Sequence, residues 1–174
     1  MAEPASPPST PKARIPQTRN TGHGWWLLGA YGLATAVASL SGSVFANPDT
    51  SAWYQALARP SFQPPSWAFG VVWPILYVLM AYTGWRADKA TSNPHTLRVA
   101  YALQLAFNAA WTIVFFGLQS PIGGITVIAA LLTAIVAWMA LASRHDRIAP
   151  LLFAPYLAWV GFAGALNGSI IALN

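Results

Sequence analysis

The sequence contains no cysteine, which removes disulfides, thiolate metal sites and thiol nucleophiles together. Charge is nearly as scarce: of 174 residues, 9 are Lys or Arg and 4 are Asp or Glu, 7% in all, against roughly a quarter in an ordinary soluble domain. A soluble globule cannot cover its surface with so few charges, and 56% hydrophobic residues exclude a disordered chain over most of the length. The solvent implied is lipid. The net charge of +5 does not indicate nucleic acid, because the basic residues lie outside the apolar runs rather than on a face interleaved with aromatics. What is plentiful is aromatic: nine Trp, six Tyr and eight Phe.

Four charge-free intervals organise the chain: residues 20–48, 60–85, 99–143 and 148–174. A helix rises 1.5 Å per residue and about 20 residues cross the hydrocarbon, so three of these intervals hold one span each. The interval 99–143 is too long for one helix and is broken at Gln119-Ser120-Pro121 and Gly123-Gly124, which are turn formers. The sequence therefore predicts an all-α integral membrane bundle of five transmembrane helices: Gly24–Ala46, Ser66–Arg86, Thr96–Leu118, Ile122–Ser143 and Ile148–Leu173. Residues 1–21, with five Pro, three basic residues and no apolar core, read as a disordered tail. Residues 22–174 form the membrane domain.

Five spans put the tail and the second and fourth loops on one side. That side collects Lys12, Arg14, Arg19, Arg86, Lys89, Arg98, Arg144 and Arg147, whereas the other has only Arg59. The positive-inside rule then places the N-terminus in the cytoplasm, in a bacterial inner membrane.

On the third span, at 100° per residue, Gln104, Asn108 and Trp111 share a face with Phe115, and Ala102, Ala106 and Ala110 cluster opposite. Amides at mid-membrane are costly unless paired, so both should point into the bundle. Gln104 reads equally as interhelical glue or as pocket, and Asn108, one turn from Trp111, leans towards a pocket. The alanine row permits close backbone approach and predicts a homodimer seam; Ala34, Ala38, Gly42 and Ala46 make a similar row on the first span. The second span carries Phe69, Trp73, Tyr77 and Met80 on one stripe, and the fifth carries Tyr156, Trp159, Ala163 and Leu166/Asn167. Trp25, Trp26, Trp67, Trp85 and Trp138, near span ends, fit interfacial anchors. Trp73, Trp111 and Trp159 lie deeper, where an indole N–H wants a partner. Pro74 and Pro155 sit inside spans near them, consistent with helices bowed around a cavity.

The loop 48–65 has a short helical stretch, Ser51–Ala58, with Trp53, Tyr54 and Leu57 able to face down, and a return stiffened by Pro60, Pro64 and Pro65. It reads as a lid, with a segment resting on the headgroups as the alternative.

The run Trp53-Tyr54-Gln55-Ala56-Leu57-Ala58-Arg59-Pro60-Ser61-Phe62-Gln63-Pro64-Pro65, then Phe69-Gly70-Val71-Val72-Trp73 and Leu76-Tyr77, resembles the signature of the TspO/MBR family. This family comprises the tryptophan-rich sensory proteins of bacteria and the translocator protein, or peripheral benzodiazepine receptor, of mitochondria. Two further segments match in order: Gln104-Leu105-Ala106-Phe107-Asn108-Ala109-Ala110-Trp111, and Pro155-Tyr156-Leu157-Ala158-Trp159 continuing to Ala163 and Leu166-Asn167. The resemblance spans residues 25–174. It implies a five-helix bundle, often dimeric, with a cavity under the first loop that binds porphyrins such as protoporphyrin IX or haem. The ligand-facing positions it implies are Tyr54, Trp73, Asn108, Trp111, Tyr156, Trp159 and Ala163. The chain departs from animal members in lacking the Tyr and Arg of their proposed cholesterol motif at the end of the fifth helix, so sterol is not the expected ligand. It also departs in having Phe62 where Trp is common and Pro74 where a small or hydroxyl residue is usual.

Rings with a few amides suit a large flat apolar ligand. His23, His95 and His145 lie outside or at the ends of the spans, so binding is expected to need no iron ligation, no metal and no cofactor. No span interior holds Asp, Glu, Lys, Arg or His for acid–base work, which disfavours an enzyme. Light-dependent porphyrin breakdown stays open, since its chemistry would belong chiefly to the pigment. The expected function is porphyrin-binding sensing or regulation. A porphyrin transporter is the alternative, although no inverted repeat is found, and a scaffold recruiting other membrane proteins is a third class.

Overall fold

The computed structural model describes residues 24–45 and 51–174; the expected tail, Ala46 and the start of the first loop lie outside them. Six α-helices follow in order: α1 (Gly24–Phe45), α2 (Ala52–Ala56), α3 (Ser66–Lys89), α4 (His95–Thr112), α5 (Pro121–Ala142) and α6 (Ile148–Leu173). A π-helical turn, Ile113–Gly117, continues α4. No strand occurs among the described residues. Among the described residues, four helical segments are long and apolar enough to cross a membrane: Ser66–Lys89, His95–Gly117, Pro121–Ala142 and Ile148–Leu173. The apolar stretch Gly24–Leu40 within α1 is shorter.

Local chemistry sets the boundaries. Ser120 accepts from Gly123 N–H at 3.1 Å and Pro121 opens the first turn of α5, a cap that satisfies an orphan donor with a proline whose missing N–H costs nothing there. Ser51 caps α2 by accepting from Tyr54 N–H at 3.3 Å. The short helix expected over residues 51–58 is limited to Ala52–Ala56, because the chain turns extended at Leu57 ahead of Pro60. Arg86 and Lys89 lie in the last turn of α3, where cations offset the helix dipole. At the end of α4, Leu118 N–H bonds Ile113 C=O at 2.8 Å, a five-residue step, and Gln119 takes φ 53° to leave the helix.

The five long helices close a ring in the order α1, α3, α6, α5, α4 and back to α1. The centre is filled by Met80, Ile128, Leu131, Ile135, Trp138, Phe153 and Tyr156. Outward faces carry large apolar side chains such as Leu33, Val37, Ile75, Val136 and Leu151, which is the inverse of a soluble bundle and matches a lipid solvent. Trp25, Trp26 and Trp67 are exposed near helix ends, as anchors require. Trp138 is not an anchor. It is 1% exposed and packs on Phe153 at 4.3 Å between ring centroids, because it continues the stripe Ile128, Leu131, Ile135 that α5 turns towards α4 and α6. Trp85 is half-buried and donates its indole N–H to Gly24 C=O at 2.5 Å, tying α3 to α1.

At the end far from α2, one ion pair joins α3 to α4 and another joins α3 to the loop before α6. Arg98 grips Asp88 with Nε at 2.6 Å and Nη2 at 3.1 Å. Asp146 Oδ2 is ion-paired with Arg86, 2.5 Å from its Nε, while Oδ1 accepts from Arg86 Nη2 at 3.4 Å and from Ile148 N–H at 2.8 Å. Burial pushes the Asp146 carboxyl up, but the Ile148 N–H and the Arg86 guanidinium outweigh it and hold the group below its ordinary value. A carboxyl lowered on folding contributes stability that is complete above the unfolded value, about pH 4, and is lost as pH falls through the folded one. Detergent-phase melting temperatures should therefore fall more steeply below about pH 4 in the native chain than in Asp146→Asn.

Candidate functional site

The ring of helices is not filled throughout. Beneath α2 and along α1 and α3 lies a cavity of about 870 Å³, inside the range of roughly 300–1,000 Å³ usual for small-molecule sites. The α3 stripe forms its aromatic wall: Phe69, Trp73 and Tyr77 line it together with Gly70, Pro74 and Val78. The opposite wall comes from α1, through Leu28, Gly32, Thr35, Ala36, Ser39 and Gly42. Their small side chains leave the space that the rings of α3 do not fill. Trp111, Thr112 and Phe116 close the side where α4 passes into the π turn, and Tyr54 closes the top. The π step adds a residue to the turn and so presents Phe115 and Phe116 together towards α2. Trp53 meets Phe115 at 5.6 Å, and Tyr54 meets Phe116 at 5.4 Å.

The cap is held at three points. Tyr54 is buried and donates its hydroxyl to Gln63 Oε1 at 3.3 Å, while the Arg59 guanidinium lies over the same ring at 5.8 Å. Burial raises the Tyr54 phenol above its ordinary pKa, although Arg59 and the Gln63 hydrogen bond pull the other way. Leu57 and Trp53 pack on the patch formed by Tyr54, Phe115 and Ile170. Asn174, after α6, forms a paired amide contact with the loop backbone: Ala58 N–H donates to its Oδ1 at 3.0 Å and its Nδ2 donates to Ala58 C=O at 3.1 Å. Pro64 and Pro65 line a smaller adjoining cleft of about 310 Å³ with Arg59 and Gln63.

Of the seven positions singled out from the sequence, Tyr54, Trp73 and Trp111 line the cavity. Asn108 stands behind the wall, accepting from Tyr77 O–H at 3.1 Å and donating to Tyr156 Oη at 3.1 Å. Tyr156 and Ala163 belong to the packed core. Trp159 supports the wall from behind, against Phe69 at 5.6 Å and Trp73 at 6.5 Å between centroids. The indole nitrogens of Trp111 and Trp159 and both amide atoms of Gln104 are buried with no hydrogen-bonding partner among the described residues. Ala102 and Ala106 are exposed on the outer face of α4 and Ala110 is half-buried there. The α1 wall was missed from the sequence. Its signal was the row Gly32, Ala36, Ser39, beside the Ala34, Ala38, Gly42 row noted from the sequence, of which only Gly42 reaches the cavity. No cluster of His, Asp or Glu able to hold a metal ion occurs among the described residues.

The TspO/MBR family pattern matches residues 30–173. The tryptophan-rich protein TspO of Archaeoglobus fulgidus is 37% identical over 145 residues, covering 82% of this chain and 93% of that protein. Protein CrtK of Rhodobacter capsulatus is 38% identical over 151 residues, 85% of this chain and 92% of the relative. The human translocator protein is 33% identical over 143 residues, with 78% and 82% covered. An all-helical membrane chain whose aromatic-walled cavity sits under the loop carrying the signature residues is thus a member of the TspO/MBR family.

Proposed function

We propose that this protein binds a porphyrin in the cavity beneath α2 and acts as a membrane sensor of tetrapyrroles. The observation that carries the reading is the cavity itself: about 870 Å³ of space walled by Phe69, Trp73, Tyr77, Trp111 and Phe116, with a tyrosine for a lid. A flat conjugated ligand gains from such a wall twice, through burial of its faces and through ring stacking. The Arg59 guanidinium at the rim of the adjoining cleft supplies a counter-charge for a carboxylate on the ligand edge. Protoporphyrin IX or haem answers this description, and no axial ligand is required of the protein. The family name tryptophan-rich sensory protein, carried by a relative from Cereibacter sphaeroides, is in keeping with it.

The membrane arrangement proposed has α1 as a fifth span, since its 22 residues reach about 33 Å and its outward face is apolar. The basic end, with Arg86, Lys89, Arg98, Arg144 and Arg147, then faces the cytoplasm of an inner membrane along with the N-terminal tail. Two copies associate through Ala102, Ala106 and Ala110 of α4.

The test of the site is a titration with protoporphyrin IX read by the porphyrin's own absorption. Replacing Trp73 and Trp111 together by leucine removes two ring faces, each worth about 0.5–1.5 kcal/mol, so the dissociation constant should rise about tenfold or more. An unchanged constant in the double variant would remove the ligand from this cavity.

A further inference from the structure

From the cavity wall, an unbroken file of ring contacts crosses the bundle to its far end. Trp73 meets Tyr156 at 6.5 Å between centroids, Tyr156 meets Phe153 at 5.3 Å, and Phe153 meets Trp138 at 4.3 Å. Trp138 meets Tyr101 at 5.9 Å, and Tyr101 meets Tyr31 at 4.8 Å. The file ends on an acid: Tyr31 O–H donates to Asp88 Oδ2 at 2.9 Å. It joins helices α3, α6, α5, α4 and α1, and Trp73 and Asp88 are separated by about 22 Å of helix rise along α3.

Packing explains touching rings, but it does not require an acid at the end of the file. An indole can give up an electron and wait as a cation, whereas a phenol gives one up readily only when its proton has somewhere to go. Among the described tyrosines, Tyr31 alone donates to a carboxylate. Tyr77 donates to the amide oxygen of Asn108. Tyr101 meets only the Thr35 hydroxyl at 3.1 Å, and Thr35 spends its own proton on Tyr31 C=O at 2.6 Å. Asp88 is 4% exposed, and when Oδ2 takes a proton the Arg98 Nη2 contact to Oδ1 at 3.1 Å remains. The lowest place for a hole along this file is therefore Tyr31.

We infer that this file is a one-electron relay, which draws an oxidising equivalent out of the cavity at Trp73 and delivers it to the Tyr31–Asp88 pair at the opposite end of the bundle. The inference rests on the reading of the cavity as a pigment site, since the oxidant it names is of the class that a light-excited flat pigment and dioxygen together supply. Trp73 gives one electron to that oxidant, which is reduced by one. Trp138 refills Trp73 through Tyr156 and Phe153, and Tyr31 refills Trp138 through Tyr101. Tyr31 at the same time passes its proton to Asp88 and is left as a neutral phenoxyl. A soluble one-electron reductant of the thiol or ascorbate class returns the electron at that end, and Asp88 returns the proton. The relay would spare the cavity indoles, whose oxidation destroys the wall.

The test uses the full chain in detergent, with porphyrin occupancy fixed first by absorption in every variant. Protoporphyrin IX-loaded protein is illuminated with methyl viologen as electron acceptor, frozen, and read by electron paramagnetic resonance. A tyrosyl signal is expected, lost in Tyr31→Phe in favour of an indolyl signal and reduced at least fivefold in Trp138→Phe and in Asp88→Asn. Trp25→Phe, outside the file, leaves it unchanged. An equal tyrosyl signal in the native chain and Tyr31→Phe overturns the relay. A second arm needs no pigment: azide radicals made by pulse radiolysis oxidise indoles directly, and the decay of indolyl into phenoxyl absorption should slow at least tenfold in Trp138→Phe. Equal decay in both proteins overturns the relay. Absence of porphyrin binding beside a slowed decay overturns only the pigment reading.

Discussion

Gly84→Ala should be among the most destabilising single-methyl changes available in this chain, lowering stability by about 1–3 kcal/mol or more. An added Cβ would stand 2.6 Å from Tyr31 Cδ1, 2.7 Å from its Cε1 and 2.8 Å from Tyr101 Cε2. Neither ring has room to yield. Tyr31 is fixed by its bond to Asp88 and lies edge-on against Tyr101, and Tyr101 is pressed in turn by Trp138. Moving them would pull α1 from α3 and loosen the Asp88–Arg98 grip. The internal standards are Gly29→Ala and Gly161→Ala, where the new methyl meets nothing within 4 Å; in a helix these should be neutral or stabilising by up to about 1 kcal/mol. Thermal melting in one detergent compares all three. If Gly84→Ala melts with the two standards, α1 and α3 do not approach as closely as described. Shrinking Tyr31 to valine alongside Gly84→Ala should give a smaller combined loss than the two single losses added.

That contact illustrates what could and could not be read from the chain alone. The gaps between charges located every long helix to within about three residues, because a charge in hydrocarbon is expensive enough to leave a mark on composition. Which residues approach which was less legible. Gly84 lies among Thr83, Trp85 and Arg86, and nothing local says that two phenols from other helices converge on it. Asp88 lies just beyond the expected span Ser66–Arg86 and has no local signal, although it is buried beneath Arg98 and Tyr31. The assignment of Trp138 as an anchor followed from its nearness to a helix end. Its three-and-four spacing from Ile128, Leu131 and Ile135 was the better guide, since all four are buried. The π turn at Ile113–Gly117 leaves the apolar pattern unchanged, so it has no sequence signature, yet it decides where Phe115 and Phe116 point. On the cavity, the aromatic wall was legible because rings at three- and four-residue spacing are conspicuous. The α1 wall was not, because it works by the smallness of Gly32, Ala36 and Ser39.

Asn108→Leu should weaken both the fold and the affinity for protoporphyrin IX, although Asn108 does not line the cavity. Its amide bonds Tyr77 on one side and Tyr156 on the other, so leucine, similar in volume, leaves both phenols without that partner. Each bond contributes about 0.5–1.5 kcal/mol, towards the lower figure between membrane helices. The loss to stability is therefore about 1–3 kcal/mol. The effect on binding passes through Tyr77, whose ring lines the cavity and stacks on Trp73 at 5.4 Å and 27°. A released Tyr77 hydroxyl must seek another partner, and the cavity is the free volume beside it, so the ring turns into the space assigned to the proposed porphyrin. A fivefold to tenfold rise in the dissociation constant is the expected result, about 1 kcal/mol on the scale of one displaced ring contact. The decisive variant adds Tyr77→Phe and Tyr156→Phe to Asn108→Leu. With all three polar groups replaced by apolar ones of similar shape, nothing is left unpaired and the penalty should largely vanish, restoring both melting temperature and affinity. If the triple variant regains its stability but still binds porphyrin weakly, the amide or a phenol touches the ligand directly. In that case the wall of the site runs through Asn108 and not in front of it.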